Sequence, residues 1–213
     1  MKSKYINPAW AAAVAAFALA SVAPANIHAQ SWKTPNGSAR AAWVSSGGAT
    51  STVAATSLPP GGGIQSADDS ASNVAGLLST GSATSVTSGS SDASRLGVQG
   101  VATAADVSIL NGRITASRVI AIATVSDAGN RASADGDGSG ASGLVIDGVA
   151  FGDGLAPNTR VDLPGAGYVV LNEQAKGKGR GASLTVNMIH VYLTGANTGE
   201  IVVASATSAS SGS

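Results

Sequence analysis

Three observations predict an all-β fold of antiparallel hairpins packed as a two-sheet sandwich. Runs of period-two alternation recur through the second half of the chain, and they are joined by Asn-Gly, Asp-Gly and Pro-Gly pairs. The composition is low in charge and rich in Ala, Ser and Thr, with 28 glycines, which favours pleated surfaces and tight turns over helices. There is no cysteine, so no disulfide staples the fold and no thiolate serves as nucleophile or soft metal ligand.

The N-terminus reads as an export signal. Lys2 and Lys4 precede the uncharged run from Ala9 to Ala23, which is of signal-core length and too short to span a bilayer comfortably. Cleavage fits after Ala25 or after Ala29, and the polar Gln30-Ser31 that follows favours Ala29, giving a signal peptide over 1–29. A buried amphipathic helix is the rival reading, against which the run offers no polar face. Removing 1–29 takes two of the twelve basic residues and none of the twelve acidic ones, for a net charge of about −2. That balance lacks the footprint of a nucleic-acid binder. No later run is apolar enough to anchor the mature chain.

Residues 30–37 are expected to be a start without regular structure, 38–206 a single β domain, and 207–213 a small polar tail. Weakly apolar strands are expected at Ala39–Val44, Thr52–Ser57, Val74–Ser79, Thr84–Ser88 and Gly97–Ala102, interrupted at Pro59-Pro60-Gly61-Gly62-Gly63. Asn111-Gly112 then turns a hairpin whose returning run, Arg113–Val125, sets Ile114, Ala116, Ile120, Ile122 and Thr124 on one face. Val119, Ala121, Ala123 and Val125 fall on the other, so its second half is apolar on both sides, as in a central strand. Asp147-Gly148 turns a second hairpin and Pro164-Gly165 a third, the latter suited to a type II turn. Ala182–Thr194 and Gly199–Ala206 flank the loop Gly195–Thr198. A β-solenoid is the alternative architecture, but no fixed repeat of 20 to 30 residues is visible.

The ordered motifs Leu110–Ala121, Ser142–Gly148, Pro157–Gly167, Val170–Gln174 and Leu184–Val191 resemble the choice-of-anchor P family, and Ala39–Ala102 is similar to that family's N-terminal portion. The resemblance implies a bacterial exported or surface protein of undefined molecular function, with a C-terminal sorting signal that varies among members. Here Ala204–Ser213 carries no sorting motif, apolar stretch or basic tail. Free secretion or periplasmic residence is the expectation that follows.

Candidate chemistry is sparse. His190 is the one histidine outside the signal segment, and strict alternation places it on a face with Leu184, Val186, Met188 and Tyr192, as a core or edge histidine. No nucleophile elbow accompanies it. Glu173 and Glu200 are the only glutamates, and Asn172-Glu173-Gln174 is a polar cluster suited to fixing a strand end, with Asn172, Glu173 and His190 the weak ligand-binding candidates. Asp135, Asp137 and Ser139, with Gly140 in sixth place, match the opening half of a calcium loop, although Ile146 stands where a bidentate carboxylate belongs. Asp127 and Asn130 could supply further oxygen ligands. Lys176–Gly181 lacks the Ser or Thr and the helix of a phosphate loop and reads as a solvated hairpin loop.

These features give three function classes. The first is a non-catalytic structural or adhesion-type protein of the envelope or extracellular matrix, self-associating or binding a cell-surface component, with no cofactor beyond a possible calcium. The second is a module for a glycan or other surface ligand, with Tyr168, Tyr192 and Phe151 as its aromatics. The third, a hydrolase, would pair Glu173 with Asp162 or Asp147.

Overall fold

The computed structural model describes residues 33–211 apart from 75, 93, 129–130, 178–180 and 196–197. The signal segment 1–29, with both cleavage points, lies outside the described residues, as do Asn130, Trp32, most of the basic stretch after Lys176, and the last two residues of the tail.

The described residues form sixteen strands in two antiparallel sheets, with no helix long and apolar enough to cross a membrane among them. β1 (Thr34–Ser46) and β2 (Ala49–Ser57) begin the first sheet. The chain then crosses to build the second from β3 (Gly63–Asp69), β4 (Ser72–Val74), β5 (Leu78–Thr80), β6 (Ala83–Ser91), β7 (Arg95–Ile109), β8 (Ile114–Ala128), β9 (Arg131–Asp135), β10 (Gly140–Ser142), β11 (Val145–Ile146) and β12 (Val149–Ala150). It returns to the first for β13 (Thr159–Leu163), β14 (Gly167–Lys176), β15 (Ser183–Leu193) and β16 (Gly199–Ser211). The first sheet runs β13-β14-β15-β16-β1-β2, and the second is centred on β7 and β8. One continuous core of buried residues from both sheets lies between them, as the sandwich expectation requires.

The hairpins fall where turn chemistry placed them. Asp147 and Gly148, at φ 46° and 82°, join Ile146 to Val149 as a two-residue turn. Ala166 N–H donates to Leu163 C=O at 2.9 Å across Pro164-Gly165, with Gly165 at φ 76°, as a type II turn demands. The Asn111-Gly112 hairpin is wider than a two-residue turn, since Ile109 pairs with Ile114 and Leu110 also takes positive φ.

Both ends of the β domain extend past their expected limits. Thr34 pairs with Ser211 and Gly37 with Ser208, so half of the stretch read as an irregular start and most of the tail form one antiparallel ladder. Neither segment can bury an apolar face alone. Small residues suit the position because the sheets approach closely there: a side chain at Gly37 would meet Val98 Cγ1 at 2.9 Å, and Ser208 Oγ donates to Ala123 C=O of the opposite sheet at 2.7 Å. Lys33 adds an ion pair, its Nζ 2.5 Å from Asp127 Oδ1, whose side chain is 4% exposed. Replacing Lys33 by Met would strip that ammonium from a buried carboxylate. The expected loss is about 2 kcal/mol, below the full penalty for breaking a buried pair because Lys33 is itself part-exposed, and it reads as a melting point lower by roughly 4–8 °C. Recovery in the Lys33→Met/Asp127→Leu double variant is the check.

Strict alternation fails along one line in each sheet. In β15 the fully buried residues are Leu184, Val186 and Met188, and then Ile189 and Val191. The inward parity therefore changes between Met188 and Ile189. The same slip occurs at Val203/Ala204 in β16 and Ala41/Ala42 in β1, and pairing register is unchanged on either side. Asn172, Ala204 and Ala54 take φ of 48°, 53° and 40° on this line, one in every second strand. Non-glycine residues seldom adopt such angles, which mark where the pleat reverses. The second sheet slips at Asp106, φ 50°, opposite Ser117. This corrects the expected faces of β8: Ile114 and Ala116 share the core with Val119, Ala121 and Ala123, Val125 is buried in a small cluster with Leu96 and Val98, and Ile120, Ile122 and Thr124 lie half-buried on the other side.

Candidate functional site

The slip decides which side chains meet on the outer face of the first sheet. His190 and Tyr192 stand there with Asn187 rather than with Leu184, Val186 and Met188, which point into the core. On β14, Tyr168 and Glu173 reach the same face although their numbers differ in parity. Sequence alternation separated these residues, and the positive φ at Asn172 reunites them.

Glu173 is the hub. Its Oε2 accepts from Asn187 Nδ2 at 2.8 Å and lies 2.6 Å from His190 Nδ1, while its Oε1 accepts from Tyr192 Oη at 2.7 Å. Burial alone would raise this carboxyl; the donors from Asn187, His190 and Tyr192 together outweigh it and hold the group below its ordinary 4.5. The ionised carboxylate can only accept, so His190 Nδ1 carries a proton. Burial, followed by the bond to Glu173, pushes the Tyr192 phenol well above its ordinary value and keeps it a donor.

Aromatic stacking extends the cluster across three strands. The His190 and Tyr192 rings stack with centroids 3.9 Å apart, and Tyr168 stacks on Tyr192 at 4.7 Å and 18°. Arg160 of β13 lies 3.8 Å over the Tyr168 ring and holds Asp162 through Nε and Nη2. Cross-strand register produces this order, since Tyr168 pairs with both Asp162 and Tyr192, and Tyr192 with Glu200. Beside the stack, Arg40, Trp43, Asn187, His190, Val202 and Ser205 line a depression of about 280 Å³. Arg40 and Trp43 also owe their common face to the slip, at Ala41/Ala42. A larger hollow of about 510 Å³, on the second sheet by Ile64 and Gln99, has no charged or aromatic lining.

The other sequence candidates lie outside this cluster or at its edge. Asn172 is buried, donating to Leu155 C=O at 3.0 Å and accepting from Gln174 Nε2 at 3.0 Å, so it ties the segment after β12 to β14. Ser139 directs its hydroxyl to β8, accepting from Ile122 N–H at 2.9 Å and donating to Ile122 C=O at 3.1 Å. Asp135 Oδ1 accepts from the Asp137 N–H at 3.4 Å within the same loop. The glycines there are steric: a side chain at Gly138, φ 87°, would meet Ile122 Cδ1 at 2.9 Å. No group of three or more His, Asp or Glu side chains suited to a metal occurs among the described residues. Asp147 is gripped by Arg113 at 2.8 and 2.7 Å on the second sheet, and Asp162 is held by Arg160 on β13. Phe151 packs against the core.

No protein-family model, curated protein or solved structure matches the chain. Fold and site together define an all-β sandwich with an aromatic, carboxylate-centred outer face.

Proposed function

We propose that the chain is an exported, non-catalytic binding module of the adhesion type, whose outer face on the first sheet takes a glycan or similar hydroxylated surface ligand. The single observation carrying this reading is the Trp43 depression, on the face turned away from the core and beside the Tyr168–Tyr192–His190 stack, whose own ring faces are covered by one another and by Arg160. Aromatic rings bind the apolar faces of sugar rings, and a fixed set of amide, imidazole and carboxylate groups orients hydroxyls. The signal-like N-terminus and the choice-of-anchor P resemblance support export and a place at or beyond the cell surface. Glu173 supports the non-catalytic part of the reading: three protein donors hold its oxygens, which suits a scaffold better than a general base or nucleophile.

The test is binding of residues 30–213 to a glycan array and to intact bacterial cells. Trp43→Ala and Tyr168→Ala are each expected to weaken binding about tenfold with an unchanged circular dichroism spectrum, in line with stacking terms of roughly 0.5–1.5 kcal/mol. Undiminished binding by both variants would remove this face from the function.

A further inference from the structure

Resting on that reading, we infer that the depression between β1, β15 and β16 is a subsite for a single carboxylate-bearing sugar residue, a hexuronic acid, with Arg40 as its carboxylate reader. Arg40 carries the only formal charge among the lining residues, and no ion pair to it occurs among the described residues. Its guanidinium lies 5.9 Å from the Trp43 ring centroid, at the limit of a cation–π contact. A planar fork left without a carboxylate, beside an indole face, matches a ligand that presents one carboxylate next to an apolar ring face.

The opposite wall supplies polar recognition. His190 is 8% exposed and its Nε2 has no hydrogen-bond partner, the nearest charged group being Glu200 Oε2 at 3.5 Å. Buried polar atoms are nearly always satisfied, so the unpartnered Nε2 of a residue that lines the depression is a group that a bound ligand or a small shift of Glu200 would complete. Asn187 is held rigid, donating to Glu173 and accepting from Ser205 Oγ at 2.7 Å, which leaves one amide N–H for a ring or hydroxyl oxygen of the ligand. A volume of about 280 Å³ is at the lower end of ligand pockets, roughly 300–1,000 Å³, and suits one sugar ring rather than several.

The experiment titrates residues 30–213 with trimers of galacturonate, glucuronate and mannuronate, with the methyl ester of each, with the free monosaccharide acids and with neutral trimers. At least one acid trimer is expected to bind ten times more tightly than its ester. Arg40→Gln should bring the acid down to the affinity of the ester while leaving the ester within twofold, and Arg40→Lys should restore part of the difference. Monosaccharide acid binding as well as the trimer would identify a terminal or free uronate as the ligand, and a trimer-only response a residue within a chain. Equal affinity for acid and ester, or a loss of both alike in Arg40→Gln, would overturn the carboxylate assignment while leaving glycan binding intact. No binding of any acid or neutral sugar would overturn the glycan reading and this subsite with it.

Discussion

Replacing Gly167 by alanine is expected to lower the melting temperature by at least about 4 °C. Gly167 opens β14 at φ 136°, a region that essentially only glycine enters, and a Cβ built there would run into the Tyr192 carbonyl oxygen, with Tyr192 C at 3.0 Å and Thr194 N at 3.2 Å. The obstacle is backbone of the paired strand, so no rotamer change relieves it. Strain and overpacking each contribute on the order of 1–3 kcal/mol, and about 2–4 °C follows from each kcal/mol in a domain of this size. Gly165→Ala, two residues earlier, is the matched control. It too has positive φ, at 76°, but nothing lies within 4 Å of its added carbon, so its cost is conformational alone, about 1 kcal/mol. Because the obstructing carbonyl belongs to Tyr192, Gly167→Ala should also disturb the Tyr168–Tyr192 stack and weaken any ligand held on that face. Equal melting points for the two variants would show that the β14–β15 register is not as described.

Turn chemistry was legible because it is local. Asp147-Gly148 and Pro164-Gly165 need no distant partner to favour their geometry, and strands followed on either side. The ladder between Thr34–Gly37 and Ser208–Ser211 was not legible, because each segment gains its stability from the other across most of the chain. The site was legible in part. Glu173, Asn172 and His190 were singled out as polar groups in apolar surroundings, and Tyr168 and Tyr192 as available aromatics, yet nothing in a strict two-residue period brings Glu173 to Tyr168, Asn187 to His190 or Arg40 to Trp43. All three juxtapositions cross the line where the pleat reverses. A trace of that line stands in the sequence, since Met188-Ile189, Val202-Val203-Ala204 and Ala41-Ala42 interrupt alternation with adjacent apolar residues. Adjacent apolar residues of this kind are equally good evidence for a strand buried on both faces.

Glu173→Leu is expected to unmake the site and to cost about 2–3 kcal/mol. It removes the acceptor for His190 Nδ1, Asn187 Nδ2 and Tyr192 Oη at once, and a stranded buried donor costs roughly 1–3 kcal/mol. The sum stays near the value for one group, because the half-buried Asn187 amide and Tyr192 hydroxyl can both reach water. Glu173→Gln is milder, about 1 kcal/mol, since its carbonyl oxygen can serve His190 and Asn187 while its amide donates to Tyr192. The comparison gains its force from pH. The Glu173 carboxyl is held below 4.5 in the folded protein, so its stabilising contribution is complete above about pH 4.5 and is lost as pH falls through the depressed folded value. Urea unfolding followed from pH 7 to pH 3 should therefore show a stability gap between wild type and Glu173→Gln that is constant above about pH 4.5 and narrows below it. A gap that stays constant to pH 3 would mean that the carboxylate does not draw its stabilisation from these donors. Ligand affinity supplies the second readout: Glu173→Leu frees the His190 ring from its only Nδ1 anchor and should weaken binding more than tenfold, whereas Arg40→Gln should alter preference among ligands without moving the acid limb at all.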